Sequence, residues 1–244
     1  MQPLRVTATL HAGIAHASPW TVSLDGLLAS QLWQAHKRLH PIAGMRELDN
    51  PPDLELPLAR CTLDSQWWHW AATCGWPDTP QEAPEIHYWG TRLDHRHTEH
   101  TATALPQHLP DNKGRWKAYW MPVPITLTHT LAWHAVGDPD AIRDILAPIT
   151  SIGKKRSQGE GRIRSWSITP APDLDPHTAS HLSPTGTLGR PCPEACLTQH
   201  PDVIDGGPGY ATIRPPHMHP SRRTEVRLPA TTETNYDHPN PDPR

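Results

Sequence analysis

The sequence has no phenylalanine, only four cysteines, and a formal net charge of −3 over 244 residues. Without a basic excess, a uniformly cationic, histone-like nucleic-acid binder is excluded. Four cysteines in a chain of this length do not make a disulfide scaffold, and a cytosolic compartment is the default. No apolar run approaches the roughly 20 residues that a membrane span needs. The opening Met1-Gln2-Pro3-Leu4-Arg5 lacks the basic-then-apolar layout of a secretory leader. A cytoplasmic chain without membrane contact is expected. There is no repeat at solenoid or propeller spacing. Paired carboxylates, G-x-S-x-G and H-E-x-x-H are missing too, so hydrolase templates find nothing to hold. Lysine is scarce, with 5 against 17 arginines, which fits a coding bias as well as any function.

What is present is unevenly distributed. Fifteen of the 30 prolines fall in the last 75 residues, while all eleven tryptophans lie at or before Trp166. A segment with one proline in five and almost no aromatics has little to bury against the entropy of ordering it. Composition therefore reads residues 1–169 as the folded domain and 170–244 as a proline-rich tail, disordered or wrapped along a partner.

Within the first part, Leu4, Val6, Ala8 and Leu10 alternate as on a half-buried strand. Ser23 or Asp25 can cap a helix that runs to about Leu39. Leu58 to Leu63 reads as a short strand, and residues 114–121 and 125–136 alternate like two more. Asp138-Pro139 opens a helix that stops before Pro148, and Arg162 to Thr169 is a last strand. This order predicts an α+β fold, a ferredoxin-like β-α-β-β-α-β domain with a large central insertion.

The segment that carries chemistry is Ile152-Gly-Lys-Lys-Arg-Ser-Gln-Gly-Glu-Gly-Arg-Ile-Arg-Ser-Trp166. From Gly153 to Arg164, five basic residues face one acid inside a chain of net −3. Gly153, Gly159 and Gly161 allow backbone N–H groups to form anion-binding concavities, and lysine and arginine neutralise phosphates. A Walker loop needs its lysine after the second glycine, and here the basic residues precede it. A dinucleotide fingerprint needs a helix after G-x-G, and here a strand follows. What remains is a nucleic-acid contact or a solvated glycine-rich loop.

This run, following the strand and helix of 125–146, resembles the glycine-rich loop of the RAMP superfamily of CRISPR-associated proteins. Together with Asp25-Gly26-Leu27-Leu28-Ala29 and Lys113-Gly114-Arg115-Trp116-Lys117-Ala118-Tyr119, the chain resembles the Cas five-type subunit of type IV systems. The resemblance covers about residues 4–169. It implies a ferredoxin-like domain with an inserted thumb at about 77–117 and a glycine-rich loop at 153–161. It also implies a non-catalytic subunit that grips the 5′ end of a guide RNA and caps the backbone filament. The implied partners are the guide RNA, the adjacent backbone subunit and the large subunit of the complex. By position, Lys154, Lys155, Arg156, Ser157, Gln158, Gly159, Gly161 and Arg162 would lie on the RNA, with Arg115, Lys117, Arg96 and Arg92 on the thumb.

The second reading is a metal-independent RAMP-type endoribonuclease that processes guide-RNA precursor. It would need a histidine general base, and His95, His97, His100 and His129 are available. With 18 histidines, chance proximity of any two is expected, so no catalytic residue is assigned. Cys192-Pro-Glu-Ala-Cys196, with His181 and His200 nearby, has spacing compatible with zinc. One pair is not a four-ligand site, and Cys61 and Cys74 would have to be brought over from the folded part. No metal or cofactor is expected on this reading. Trp67, Trp68, Trp70 and Trp76 are expected in the core rather than on bases, and Trp116 and Trp120 are expected to be buried.

Overall fold

The alternation of Leu4, Val6, Ala8 and Leu10 becomes β1 (Gln2–Leu10), and all four side chains are buried. The structure is a computed structural model that describes residues 1–16, 20, 22–39, 49–64, 66–77, 85–91 and 119–230. Seven further strands follow: β2 (Ile14–Ala15), β3 (Arg60–Cys61), β4 (His69–Trp70), β5 (Trp76–Pro77), β6 (Glu85–Thr91), β7 (Tyr119–Thr126) and β8 (Thr130–Gly137). After them come β9 (Ile163–Pro170), β10 (Pro208–Thr212) and β11 (Arg223–Arg227). The helices are α1 (Leu24–Leu39), α2 (Pro139–Leu146) and α3 (Pro176–His181). The main sheet is antiparallel throughout, in the order β5-β8-β1-β9. In sequence, α1 lies between β1 and β5 and α2 between β8 and β9.

Both long helices begin where the sequence places a cap. Ser23 Oγ accepts from the Gly26 N–H at 3.3 Å, and Asp138 Oδ1 accepts from the N–H groups of Asp140 and Ala141 at 3.0 and 3.2 Å. Helix α1 packs on α2, and α2 packs on β9. The core between helices and sheet holds Leu24, Leu28, Trp133, Ile142, Leu146 and Ile168. Of the four tryptophans expected in the core, Trp70 belongs to it with Trp68 packed against it, whereas Trp67 and Trp76 are only half-buried.

Three expectations are corrected. The strand expected over 125–136 breaks at residues 127–129, so its two parts enter different sheets: β7 joins β2-β7-β6, and β8 joins the main sheet. Trp120 is exposed, stacked on Tyr88 at 5.5 Å, rather than buried. Residues 119–122 of β7 are all exposed, and no layer of the described residues covers this end of the β6-β7 pair. The third correction is the tail. Residues 171–230 are folded, with α3, the β10-β11 hairpin and buried Ala179, Leu188, Cys196, Ile213 and Val226. Helix α3 packs on β8, and Ala179 meets Val136. This segment covers the β8 side chains that point away from the α1–α2 core, so Leu131 to Gly137 are all buried. Limited proteolysis is expected to give no stable fragment ending near residue 170, because cleavage there would uncover Val136 and His134. Accumulation of such a fragment would overturn the packing described. The stretch 231–244 and the expected thumb tip within 77–117 lie outside the described residues.

Candidate nucleic-acid interface

The loop between α2 and β9 is held by backbone conformations that side chains disfavour. Gly153, Gly159 and Gly161 have φ of +80°, +94° and +64°, and Lys155 joins them at +55°. A Cβ on Gly161 would lie 1.9 Å from the Ile152 carbonyl oxygen. Its N–H donates to the Gly13 carbonyl at 3.0 Å, and its own carbonyl accepts from the Ile152 N–H at 2.9 Å. The Lys154 N–H donates to the Ala15 carbonyl at 2.7 Å. Gly161 thus closes the loop onto the β2 segment, and its buried backbone faces protein. Gly159 has open space around it.

Residues 156–158 form one 3-10 turn, and Lys154, Arg156, Ser157, Gln158 and Arg162 are exposed. Lys155 differs: its Nζ sits over the Trp89 ring of β6, 3.2 Å from the centroid, a cation–π contact. Glu160 points the same way, 3.4 Å from His87 Nδ1, while His87 Nε2 lies 3.2 Å from Glu85. The Glu85 hydrogen bond first, with Glu160 adding to it against slight desolvation, holds the His87 pKa above its ordinary value. The basic loop is therefore braced against the β6-β7 pair by Lys155 and Glu160, while Lys154, Arg156 and Arg162 are exposed.

Beside the loop lies a cavity of about 480 Å³ between α1, residues 151–156 and residues 215–218. Its walls include Leu27, Trp33, Ile152 and Pro216, with Lys154 and Arg156 also lining it. The buried Trp33 indole N–H has no partner among the described residues. Nearby, His217 Nε2 lies 3.0 Å from Ser23 Oγ and 3.3 Å from Asp25 Oδ1. Both contacts fall on one ring nitrogen, so the imidazole cannot take a proton at one nitrogen while the carboxylate orients the other. This is a structural network around a buried carboxylate. Asp25 also receives Arg190 Nη2 at 3.3 Å. Burial alone would raise the Asp25 pKa, but Arg190 and His217 outweigh it and hold the carboxyl well below its usual range.

The basic loop and the folded 171–217 stretch fall within one stretch that a family model covers, whereas the α1 wall of the cavity, with Leu27 and Trp33, lies outside it. The model described as CRISPR type IV associated protein Csf3 matches residues 85–217. The chain belongs to this family. The match spans residue 170, the boundary that composition suggests, and includes β6, β7, β8, α2, the basic loop, β9 and α3. No curated protein sequence matches the chain. Membership makes it a type IV CRISPR-associated subunit, and no helix among the described residues is long and apolar enough to cross a membrane.

Of the residues that sequence reasoning assigned to RNA, the fold brings 154–162 to one loop. Arg92, Arg96, Arg115 and Lys117 lie outside the described residues, as do His95, His97 and His100. Sequence reasoning missed Trp89 and His87, which brace the loop, and Trp33, which walls the cavity. The alternation around Trp89 was the available signal, but the masking composition of 77–112, rich in Pro, His, Thr and Asp, reads as connection. The fold also brings Cys61, His69, His181 and Cys196 together.

Proposed function

We propose that this type IV subunit is a non-catalytic RNA-binding protein that grips the 5′ end of the guide RNA and caps the backbone filament. The observation that carries the reading is the loop itself. Three cationic side chains, Lys154, Arg156 and Arg162, are exposed on a backbone pinned by Gly161 and by the Lys155–Trp89 contact. Such preorganised charge suits a phosphate backbone. The adjoining cavity offers apolar walls, Trp33 among them, where a splayed-out base could rest. The sheet order β5-β8-β1-β9, with α1 following β1 and α2 following β8 in sequence, supports the ferredoxin-like RAMP reading. The β6-β7 pair lies between β5 and β8 in sequence, and that position supports reading it as part of the thumb. Its exposed Tyr88, Trp120 and Met121 suit contact with the adjacent backbone subunit, RNA or the large subunit in a cytoplasmic complex.

The test is guide-RNA binding by the full chain across a salt series. Each cation on a single-stranded phosphate contributes about 0.7 to the slope of log affinity against log salt. Lys154→Ala, Arg156→Ala and Arg162→Ala together are expected to flatten the slope by about 2 while the melting temperature holds. An unchanged slope would remove the loop from the RNA. In the same preparations, a defined cut in repeat RNA without metal would favour the endoribonuclease reading instead.

A further inference from the structure

Cys61 and His69 are opposite one another in the β3-β4 ladder, so their side chains leave the same face side by side. His181 is the last residue of α3, and Cys196 ends the 3-10 turn Glu194–Cys196. These four residues, from four separate elements, place one ligand-type atom each within 4.8 Å of all the others. His69, His181 and Cys196 are buried, and Cys61 is partly so.

The spacing matches a tetrahedron. Zinc with Zn–S of about 2.3 Å and Zn–N of about 2.0–2.1 Å sets S–S edges of about 3.8 Å and S–N edges of about 3.5 Å. Here Cys61 Sγ lies 3.9 Å from Cys196 Sγ, and the Cys61–His181 Nε2 and Cys196–His69 Nε2 distances are both 3.5 Å. A disulfide would hold the sulfurs at about 2.05 Å. The orientation of the imidazoles is the independent observation. His69 Nδ1 lies 2.9 Å from its neighbour's carbonyl, at Trp70, and His181 Nδ1 lies 2.9 Å from the His177 carbonyl. A carbonyl can only accept, so each Nδ1 carries the proton and each Nε2 turns its lone pair inward. That is how ligating histidines are fixed by their outer partners. Other conspicuous groups are engaged elsewhere: Cys74 Sγ donates to the Trp20 carbonyl, and His200 stacks on His177.

We propose that Cys61, His69, His181 and Cys196 form a structural Zn²⁺ site that clips residues 171–230 to the β3-β4 hairpin. Two thiolates and two neutral imidazoles suit zinc, and four protein ligands close the sphere, leaving no position for substrate. The site explains how a segment with few large apolar residues stays against the sheet, because metal binding couples to folding.

The full chain, purified without chelator, is expected to carry one zinc per chain by elemental analysis. Stripped with a strong chelator, it should melt lower and regain its melting temperature on adding Zn²⁺. Adding Co²⁺ instead should give the visible absorption of tetrahedral thiolate-bound cobalt. Cys61→Ser and His69→Gln should lose the metal, whereas His200→Gln should keep it. Retention by the first two and loss by the third would instead assign the metal to the set adjacent in sequence, with Cys192 and His200, and overturn the quartet. If the ligand variants do not fold, the wild-type metal content and cobalt spectrum decide. Metal-free wild type with no cobalt spectrum, or a Cys61–Cys196 disulfide in the purified chain, overturns the proposal.

Discussion

Arg190→Met is expected to destabilise the chain by about 3–5 kcal/mol, measured as a fall in the urea midpoint without a change in slope. Arg190 is 2% exposed, and its guanidinium donates to the carbonyls of Trp70, Ala72 and Ile213 as well as to Asp25, which is wholly buried. Removing the cation strands a buried carboxylate and several carbonyls at once, and the penalty for unpaired buried groups exceeds the modest net worth of the pair. Arg190→Lys should not rescue, because one ammonium cannot reach partners arranged around a planar fork. Adding Asp25→Asn to Arg190→Met should recover part of the loss, since the stranded charge is then gone. Equal stability of wild type and Arg190→Met would show that the network contributes nothing.

The same carboxylate sets an acid response. Asp25 has a folded-state pKa below that of the unfolded chain, so its contribution is complete above the unfolded carboxylate value of about 3.9 and is lost as pH falls below it. Stability of the wild type should therefore decline through that acid range. In Asp25→Asn this part of the decline should be missing, and a parallel decline in the two proteins would assign it to other groups.

Gly161→Ala is expected to cost more than any other change in the basic loop. The left-handed φ alone costs a side chain about 1–2 kcal/mol, and the new Cβ would overlap the Ile152 carbonyl at 1.9 Å. Gly159→Ala, with φ +94° and nothing within 4 Å, carries only the conformational part. Thermal melts should rank Gly161→Ala well below Gly159→Ala, and RNA binding should fall with the displaced loop at little change in salt slope. Equal melting temperatures would mean that the loop closure onto Gly13 does not matter to the fold.

Several features were legible in the sequence because they are local. Period-two apolar alternation places β1, and Asp138-Pro139 marks the start of α2 through a cap and a proline that act within one turn. The charge density of 153–164 marks the loop for the same reason. The folding of 171–230 was harder to see, but a sign of it existed. Leu131-Ala-Trp-His-Ala-Val-Gly137 has a single polar side chain, His134, where a strand with one wet face would alternate. Something had to cover the second face, and composition alone did not say that the proline-rich segment does. Prolines lower the entropy lost on folding and do not prevent a segment from packing where its few apolar residues are well placed.

By itself, then, the sequence determined the strands and helices whose signals repeat within a few residues, and the sign and position of the exposed charge. Tertiary structure alone decided which distant side chains meet. Asp25 finds Arg190 across 165 residues, Cys61 finds His181 across 120, and Lys155 finds the ring of Trp89 on another sheet. Those meetings depend on the sheet order and on the path of 171–230 over β8, which are settled by the sum of many contacts and leave no local period to read. The same holds for Gly161: the need for glycine comes from the nearness of Ile152 once the loop has closed, and only the closed loop reveals it.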